Sequence, residues 1–379
     1  MAAAPSTEAA RRTIVHFVTG GFSGATQVAI DLARAQHAAG HRVVLAMRRK
    51  RQTPLPRVEA LRAEGLDLRL IPGGLKLWTI LSLRRLLREQ QPDLLFAHGF
   101  PEHLIGRVAG RWAGVPHMVQ VEHNSRERYT PLRAALTRRL AACTDRIVGV
   151  SPGVRDSLLA QGLPAAKLQV IANGIRPERF AALPADDWLQ RESAFVMAAR
   201  FASQKDHATL IEALALLRDR EGLRPRLRLA GGGSSRHRER ALALLRQHRL
   251  EDQVELLGHV ADMPALLARH KYALLISHYE GMPLSLIEAM AAGCLCIASE
   301  VPGIAGVIEQ GRNGWLVPHA DAAALARRLA DCLRHEAAQL PLVAQGRREA
   351  FERYTQQRMA DDYAALIDEL TGRAAAPAH

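Results

Sequence analysis

The chain alternates short apolar segments with amphipathic segments of helical periodicity along most of its length. The segment TIVHFVTGG predicts a buried strand that ends in glycines, and ATQVAIDLARAQHAAGH follows with apolar residues at helical spacing and a stop signal at Gly40. RVVLAM, DLRLIP, PDLLFAH, HMVQVEH, RIVGVS and LQVIAN predict further strands, with helical segments between most of them. Strands that alternate with helices in this way predict a parallel sheet covered by helices on both faces, and therefore an α/β fold.

This alternation stops at the turn-rich segment NGIRPERFAALPADD and then starts again. AFVMAAR, RLRLAGGG, VELLGHV, YALLIS, LCIAS and GWLVP predict the strands of the second half, and two helices are expected after the last of them. A length of 379 residues favours two domains at roughly 100–200 residues each. We predict two doubly wound, Rossmann-like domains, 1–180 and 181–360, followed by a C-terminal helix and tail at 361–379. The two domains should face each other across a cleft, where ligands bind at the carboxyl ends of the strands.

Positive charge is concentrated in the first half of the chain. Residues 1–180 contain 27 Lys and Arg against 13 Asp and Glu, a net charge of +14, whereas residues 181–379 contain 24 against 25, a net charge of −1. A cationic surface favours partners that carry phosphate, such as nucleic acid, anionic lipid or a phosphorylated substrate. A nucleic-acid-binding protein is one alternative, but aromatic residues make up only 4% of the chain and no basic–aromatic platform for stacked bases is evident.

Neither a membrane-spanning helix nor a signal peptide is predicted. No run of about 18 apolar residues occurs, and no apolar segment of signal-peptide length precedes TIVHFV, so we expect a cytoplasmic protein. The basic segment 48–57 and the amphipathic segment LKLWTILSLRRLLR suggest that the first domain rests on anionic lipid at the inner face of the cytoplasmic membrane. An ordinary helix packed on the sheet is the alternative. Cys294 and Cys296 form a C-x-C pair without a second pair, so no metal site is predicted.

Three loops at strand ends contain residues suited to a phosphate-bearing ligand. TGGFSGATQ contains Gly21 and other glycines just before a helix, and AGGGSSR contains Gly231 and Gly232. Glycines let the backbone approach a ligand closely, although a tight strand–helix turn is the alternative for the first of these loops. ARFASQKDH contains Arg200 and Lys205, which together can hold a diphosphate from two sides unless both are simple surface cations.

The segment EGMPLSLIE has a glutamate at each end, Glu280 and Glu288. It follows the predicted strand YALLIS and begins the predicted helix LSLIEAMAAG, so the amides of residues 282–285 form a helix N-terminus that suits an anion. Carboxylates accept hydrogen bonds from hydroxyls. A ligand with a central diphosphate and hydroxyls at both ends, such as a nucleotide sugar, satisfies this pattern. The alternative is that Glu280 caps the helix and Glu288 is a paired helix charge.

The longer segment EGMPLSLIEAMAAG resembles the E-x7-E signature of the retaining glycosyltransferases of family four, which have the GT-B fold. Further segments resemble motifs of that family in the same order over about residues 13–370: the first glycine loop, VEHN with His123, VSPGVRDSL, VIANGI, AARFASQKDH, LLGHV and GWLVP. One departure is Gly306 in PGIAGVI, where many members have a glutamate in a segment such as GGIPEVI. The catalytic roles that the resemblance implies do not depend on this loop.

This resemblance implies a metal-independent, retaining transfer of a sugar from a nucleotide diphosphate sugar, most often a UDP-sugar, with no other cofactor. The acceptor would be a hydroxyl of a glycan or lipid-linked sugar in the synthesis of lipopolysaccharide or another cell-envelope glycan. A nucleotide-sugar epimerase of the same fold is the second enzyme alternative, since it would bind a similar donor without forming a glycosidic bond.

The resemblance also implies roles for individual residues. Glu280 would orient the donor sugar, Arg200 and Lys205 would stabilise the leaving diphosphate, and His123 would reach the sugar or the acceptor. His98 is a candidate for the acceptor side. The remaining expected donor-binding residues are Glu288, Gly21, Gly231, Gly232, His259, Val260, Gly281, Met282, Pro283, Leu284 and Ser285.

Overall fold

A computed structural model describes residues 11–125, 130–183 and 188–372 of the chain. Within them the first domain contains a sheet of seven parallel strands in the order β3-β2-β1-β4-β5-β6-β7. Its strands are β1 (Thr13–Thr19), β2 (Arg42–Arg48), β3 (Asp67–Ile71), β4 (Leu94–His98), β5 (His117–Glu122), β6 (Arg146–Gly149) and β7 (Leu168–Val170). Its helices are α1 (Gly24–Ala38), α2 (Leu55–Ala63), α3 (Lys76–Gln90), α4 (Glu102–Ala113), α5 (Pro131–Leu140) and α6 (Pro152–Ala160), and the short helix α7 (Glu178–Ala181) leads to the second domain.

The second domain repeats this architecture with six described strands in the order β10-β9-β8-β11-β12-β13. These strands are β8 (Glu192–Ala198), β9 (Leu227–Ala230), β10 (Val254–Gly258), β11 (His270–Leu275), β12 (Leu295–Ser299) and β13 (Trp315–Val317). The helices are α8 (His207–Glu221), α9 (Ser235–His248), α10 (Met263–Ala268), α11 (Leu284–Ala291), α12 (Ala322–Arg334), α13 (Leu340–Arg353) and α14 (Gln356–Leu370). The predicted α/β class, with two doubly wound domains, is confirmed.

Burial on both faces explains the apolar character of the central strands. Ile14, Val15, Phe17 and Val18 of β1 are all fully buried, because helices cover both sides of the sheet. Strands β1, β4 and β5 are neighbours in the sheet, so their carboxyl ends meet at one edge. That edge of the first sheet faces the corresponding edge of the second.

The last helix returns to the first domain. Tyr363 of α14 lies edge-on to Phe96 of β4, with ring centroids 5.7 Å apart, and Glu369 forms an ion pair with Arg146. The helix expected within 361–379 therefore begins earlier, at Gln356. It follows the second domain in the chain and packs against the first.

Two features differ from the sequence prediction. Up to residue 372, where the described part of the chain ends, three α-helices follow β13 rather than the two predicted, because the apolar stripe of the final segment is divided at residues 354–355 between α13 and α14. Helix α2 was not predicted, since the basic run before it obscures its short apolar face, of which Val58 and Leu61 are the buried residues.

Parts of the predicted domain ranges, linker and tail lie outside the described residues: 1–10, 126–129, 184–187 and 373–379. In the described part of the chain, every helix is too short or too polar to cross a membrane.

Candidate active site

A cleft of about 580 Å³ lies between the carboxyl edges of the two sheets. Of the site residues predicted from the sequence, all but Gly21 and Val260 line this cleft. The lining residues among them are His98, His123, Arg200, Lys205, Gly231, Gly232, His259, Glu280, Gly281, Met282, Pro283, Leu284, Ser285 and Glu288. Gly21 lies instead beside Lys50 at the exposed edge of the first glycine loop. Residues far apart in the chain are thus brought to one cavity by the two parallel sheets.

Glu280 is held by two side chains from the loop after β8. The Lys205 ammonium contacts its Oε1, and the Gln204 amide donates to its Oε2 at 3.0 Å. Backbone bonds fix this arrangement, since the loop after β8 pairs with the loop after β11: the His278 amide donates to the Gln204 carbonyl at 2.8 Å. The Lys205 and Glu280 side chains are only 12% and 7% exposed, so this is a largely buried ion pair at the wall of the cleft. Gln204 was not predicted, although it lies between the two predicted cations.

Arg200 provides a second positive charge on the same side. Its guanidinium is exposed and has no ion-pair partner among the described residues. The neighbouring glycine loop lies directly against it, and a Cβ at Gly231, where φ is +154°, would be 2.2 Å from the carbonyl oxygen of Ala199. Only glycine fits there, so the backbone of Gly231 and Gly232 forms the cleft wall beside Arg200.

The N-terminus of α11 opens into the cleft between the two glutamates. Pro283 precedes the helix without a side-chain cap, and the first amides, those of Leu284 and Ser285, have no partner within the helix. Their N–H groups and the helix dipole favour an anion at this position. Glu288, one turn further on, is half-buried, and its carboxylate has no hydrogen-bond or ion-pair partner among the described residues. Burial raises the pKa of Glu288, and the nearby Arg179 opposes this shift only in part.

Histidines from three neighbouring strands form a chain of hydrogen bonds behind the opposite wall. His123 Nε2 lies 3.1 Å from His98 Nδ1, His98 Nε2 lies 2.9 Å from His16 Nδ1, and His16 Nε2 lies 2.7 Å from Gln36 Oε1. Burial lowers the pKa of His123 and of His16 to about 4, and lowers that of His98 well below the usual value. All three rings are therefore neutral at physiological pH. His16 and Gln36 were not predicted, although a histidine in the middle of the apolar strand TIVHFV was the available signal.

The two domains touch at the loop that contains Glu280. The Ser151 hydroxyl donates to the Gly281 carbonyl at 2.7 Å, and the Ser125 amide donates to the Glu280 carbonyl at 3.3 Å. A Cβ at Gly281 would lie 1.9 Å from the carbonyl oxygen of His123. The absence of a side chain at Gly281 therefore permits this close approach of the two domains.

The cleft wall of the first domain also contains an ion pair that the sequence did not reveal. Glu102 is 1% exposed, lines the cleft at the start of α4, and accepts hydrogen bonds from Arg48 at 2.7 and 2.8 Å. Both contacts reach the same carboxylate oxygen, Oε1.

Gly306 lies outside the cleft. A Cβ at this position would be 3.1 Å from Pro152 Cδ, so a larger residue would press against the first turn of α6. The glycine that departs from the expected motif thus packs beside α6.

In the described residues, no group of three or more His, Cys, Asp or Glu side chains is placed to hold a metal ion.

Comparisons with known proteins agree with this arrangement. The family model described as Glycosyltransferase Family 4 matches residues 22–179, and that described as Glycosyl transferases group 1 matches residues 185–358. WcaL, a glycosyltransferase ascribed to colanic acid biosynthesis in Escherichia coli (strain K12), is 30% identical over 73% of this chain and 71% of its own length. The UDP-Gal:alpha-D-GlcNAc-diphosphoundecaprenol alpha-1,3-galactosyltransferase of Escherichia coli is 26% identical over 63% of this chain and 66% of its own length.

Among solved structures, HepE from Anabaena in complex with UDP superposes with a TM-score of 0.81 at 18% identity, over 94% of this chain and all of HepE. This similarity confirms the expected GT-B fold. The motifs, the family models and the similarity to WcaL agree, and the chain belongs to the family-four glycosyltransferases.

Proposed function

We propose that this glycosyltransferase moves a sugar from a UDP-sugar to a hydroxyl of a lipid-linked glycan, with retention of anomeric configuration and without a metal ion. The observation that carries the proposal is that one cleft is lined by the Lys205–Glu280 ion pair, by Arg200, by the N-terminus of α11 and by Glu288. Along the chain, the first amides of α11 lie between Glu280 and Glu288, and the Glu288 carboxylate has no hydrogen-bond or ion-pair partner among the described residues. A diphosphate with a sugar on one side and a ribose on the other matches this arrangement. The UDP complex of HepE and the UDP-Gal donor of the Escherichia coli relative support uridine as the base.

In the proposed reaction the bond between the anomeric carbon and the diphosphate oxygen breaks, and UDP leaves. Negative charge develops on that oxygen, where Lys205, Arg200 and the α11 amides would stabilise it. The acceptor hydroxyl forms the new glycosidic bond from the face that UDP leaves, and its proton passes to the leaving phosphate. Glu280 would accept hydrogen bonds from sugar hydroxyls, and Glu288 from the ribose. Contact between the two domains at Gly281 would exclude water from the reacting atoms.

The first test is a thermal-shift panel of UDP, GDP, ADP and their sugars, with and without EDTA. A ligand that binds only the native state raises the melting temperature in proportion to the logarithm of its excess, so the panel identifies the base. NMR of the product formed with the best donor then reads the anomeric configuration. A new α-glycoside from an α-linked donor is expected. An isomerised nucleotide sugar formed without acceptor would instead indicate an epimerase, and an inverted product would contradict retention.

The basic apolar surface of the first domain suggests that the acceptor is presented by a membrane. This surface consists of Leu75, Leu77, Trp78, Arg49 and Arg85. The three apolar side chains are 81%, 59% and 61% exposed, which is unusual for residues of this size. The Arg49 loop lies beside the segment before α3, since its amide donates to the last residue of β3. Aromatic and aliphatic side chains flanked by arginines suit the interface of an anionic bilayer.

Vesicle sedimentation tests this part of the proposal. Binding to vesicles that contain phosphatidylglycerol, weaker binding to phosphatidylcholine alone, and loss of binding at high salt are expected. The Leu77→Ser variant should bind about fivefold more weakly, because about half of a leucine side chain would no longer enter the bilayer. Leu340→Ser, a change at an exposed leucine of the second domain, is the matched control. Binding to neither kind of vesicle would contradict the membrane role, and equal binding to both would contradict the part assigned to the arginines.

A further inference from the structure

The hydrogen bonds of the histidine chain behind the cleft couple the tautomers of its rings, so that all of them point in one direction. A neutral imidazole has one N–H donor and one nitrogen that accepts. His16 and His98 each use both ring nitrogens in the chain, so each must donate at one end and accept at the other. The chain begins at Gln36, whose side-chain amide oxygen faces His16 Nε2 and accepts in this orientation, while its Nε2 has no partner among the described residues. The opposite amide orientation would reverse every bond of the chain, and the experiment below distinguishes the two directions. One terminal group therefore determines the tautomer of every ring that follows.

The direction can be followed ring by ring. His16 donates from Nε2 to Gln36 and accepts at Nδ1, so His98 must donate from Nε2 and accept at Nδ1. His123 must in turn donate from Nε2 to His98. Its Nδ1 is then an unprotonated acceptor. This atom has no partner among the described residues and is not among the fully buried unpaired atoms, so it faces the cleft that His123 lines.

The surroundings hold the rings in place. His16 stacks on Phe96 with centroids 5.0 Å apart and planes 10° apart, and His98 stacks on His123 at 5.4 Å. His16 and His98 are fully buried and Gln36 is 6% exposed. Water cannot easily replace a partner in a chain that is buried in this way. If one hydrogen bond alone reversed its direction, two donors or two acceptors would face each other without a bond.

We propose that Gln36, His16 and His98 are positioning residues that fix the tautomer of His123 and present its Nδ1 to the cleft as a hydrogen-bond acceptor. An acceptor there selects a hydroxyl group and disfavours a phosphate oxygen, which also only accepts. The assignment of that hydroxyl to the donor sugar or the acceptor rests on the proposed transferase function, whereas the direction of the chain does not.

Long-range ¹H–¹⁵N correlation of protein labelled with ¹⁵N-histidine tests the direction, since protonated and unprotonated ring nitrogens have well-separated shifts. The His123 signals are identified by their loss in His123→Asn. In the wild type a single His123 tautomer with unprotonated Nδ1 is expected. In Gln36→Met the chain loses its terminal acceptor, so both tautomers should appear. Gln120→Met is the matched control, because Gln120 is a fully buried glutamine whose side-chain amide has no partner among the described residues, and it should leave the tautomer unchanged.

A second variant covers the case in which Gln36→Met does not fold. His16→Phe retains a ring that can stack on Phe96 and removes both nitrogens, and it should also produce mixed tautomers at His123. A protonated Nδ1 in the wild type, or a single unchanged tautomer in either variant, would overturn the inference. In a transfer assay the Gln36→Met rate should fall about threefold to tenfold, the effect of one hydrogen bond, with the UDP thermal shift unchanged. The expected tautomers in a protein without transfer activity would support the inference and refute the proposed function.

Discussion

Removal of the Lys205 ammonium should reduce both stability and activity, and a second substitution should restore only the stability. In Lys205→Met the Glu280 carboxylate, whose side chain is 7% exposed, loses its counter-charge and keeps only the Gln204 hydrogen bond. Breaking a buried ion pair by removing one partner costs about 3–5 kcal/mol. The remaining Gln204 bond and the adjacent cleft place this case at the lower end, about 3 kcal/mol. For a domain of this size, 1 kcal/mol corresponds to roughly 2–4 °C, so the melting temperature of the second domain should fall by about 6–12 °C.

The double variant Lys205→Met/Glu280→Gln removes both charges and leaves an amide of the same shape. Because the cost in the single variant comes from the unpaired buried carboxylate, most of the lost stability should return. Transfer activity should remain at least about 100-fold below wild type in both variants, since a charge that stabilises the leaving group is absent. Differential scanning calorimetry and initial rates of UDP release measure the two effects separately.

A second ion pair of the same domain is the control. Lys271 donates to Glu336 at 2.6 Å and to Ser193 at 3.0 Å, and its side chain is 5% exposed. Lys271→Met should therefore also lower the melting temperature, but it should leave the transfer rate of the folded enzyme unchanged because this pair lies outside the cleft. An unchanged melting temperature in Lys205→Met, or a double variant no more stable than the single one, would refute the reasoning about the buried carboxylate.

Four further outcomes are expected, at Gly281, Glu288 and His123. Gly281→Ala should open the cleft, because the new Cβ would lie 1.9 Å from the His123 carbonyl oxygen. Small-angle scattering should show a larger radius of gyration, and the rate should fall at least about tenfold. Gly24→Ala, at a position with open space around it, should leave the radius of gyration unchanged. Glu288→Gln should raise the melting temperature of the free enzyme at pH 7. Burial raises the pKa of Glu288 in the folded state above its value in the unfolded state, so ionisation of this carboxyl group lowers the stability of the wild type as the pH rises between the two values. Below about pH 4 the carboxyl group is protonated in both states, and the difference between variant and wild type should disappear. The same variant should bind UDP about tenfold more weakly in calorimetric titration, and an unchanged affinity would contradict the ribose contact. His123, with its pKa lowered to about 4, should contribute no titration to kcat/KM between about pH 5.5 and 8, and a limb in that range that disappears in His123→Asn would contradict the neutral ring.

Most of the predicted site could be found without coordinates because its residues follow strand ends. In parallel sheets of this kind the carboxyl ends of the strands meet at the ligand cleft, so Arg200 after β8 and Glu280 after β11 were both expected there. Gly21 and Val260 are the two exceptions. Val260 follows β10 at the edge of its sheet, immediately after His259, and only His259 reaches the cleft.

The residues that sequence reasoning missed depend on partners that are distant in the chain. The contact of Gln204 depends on the pairing of the loops after β8 and β11, which places its side-chain amide 3.0 Å from the Glu280 carboxylate. Glu102 and Arg48 are 54 positions apart and have no shared motif. Nothing in the local pattern around either residue indicates that the other is near.

The alternation of apolar strands and amphipathic helices determined the fold class and the position of the cleft, because backbone geometry imposes those periods on any chain with a buried sheet. The local sequence from Glu280 to Glu288 likewise predicts a loop followed by the start of a helix. Only the tertiary structure decided which side chains meet. His16, His98 and His123 form one chain because β1, β4 and β5 are adjacent in the sheet, although 82 residues separate the first two histidines. Strand order is set by packing of the whole domain, and a local sequence pattern does not contain it.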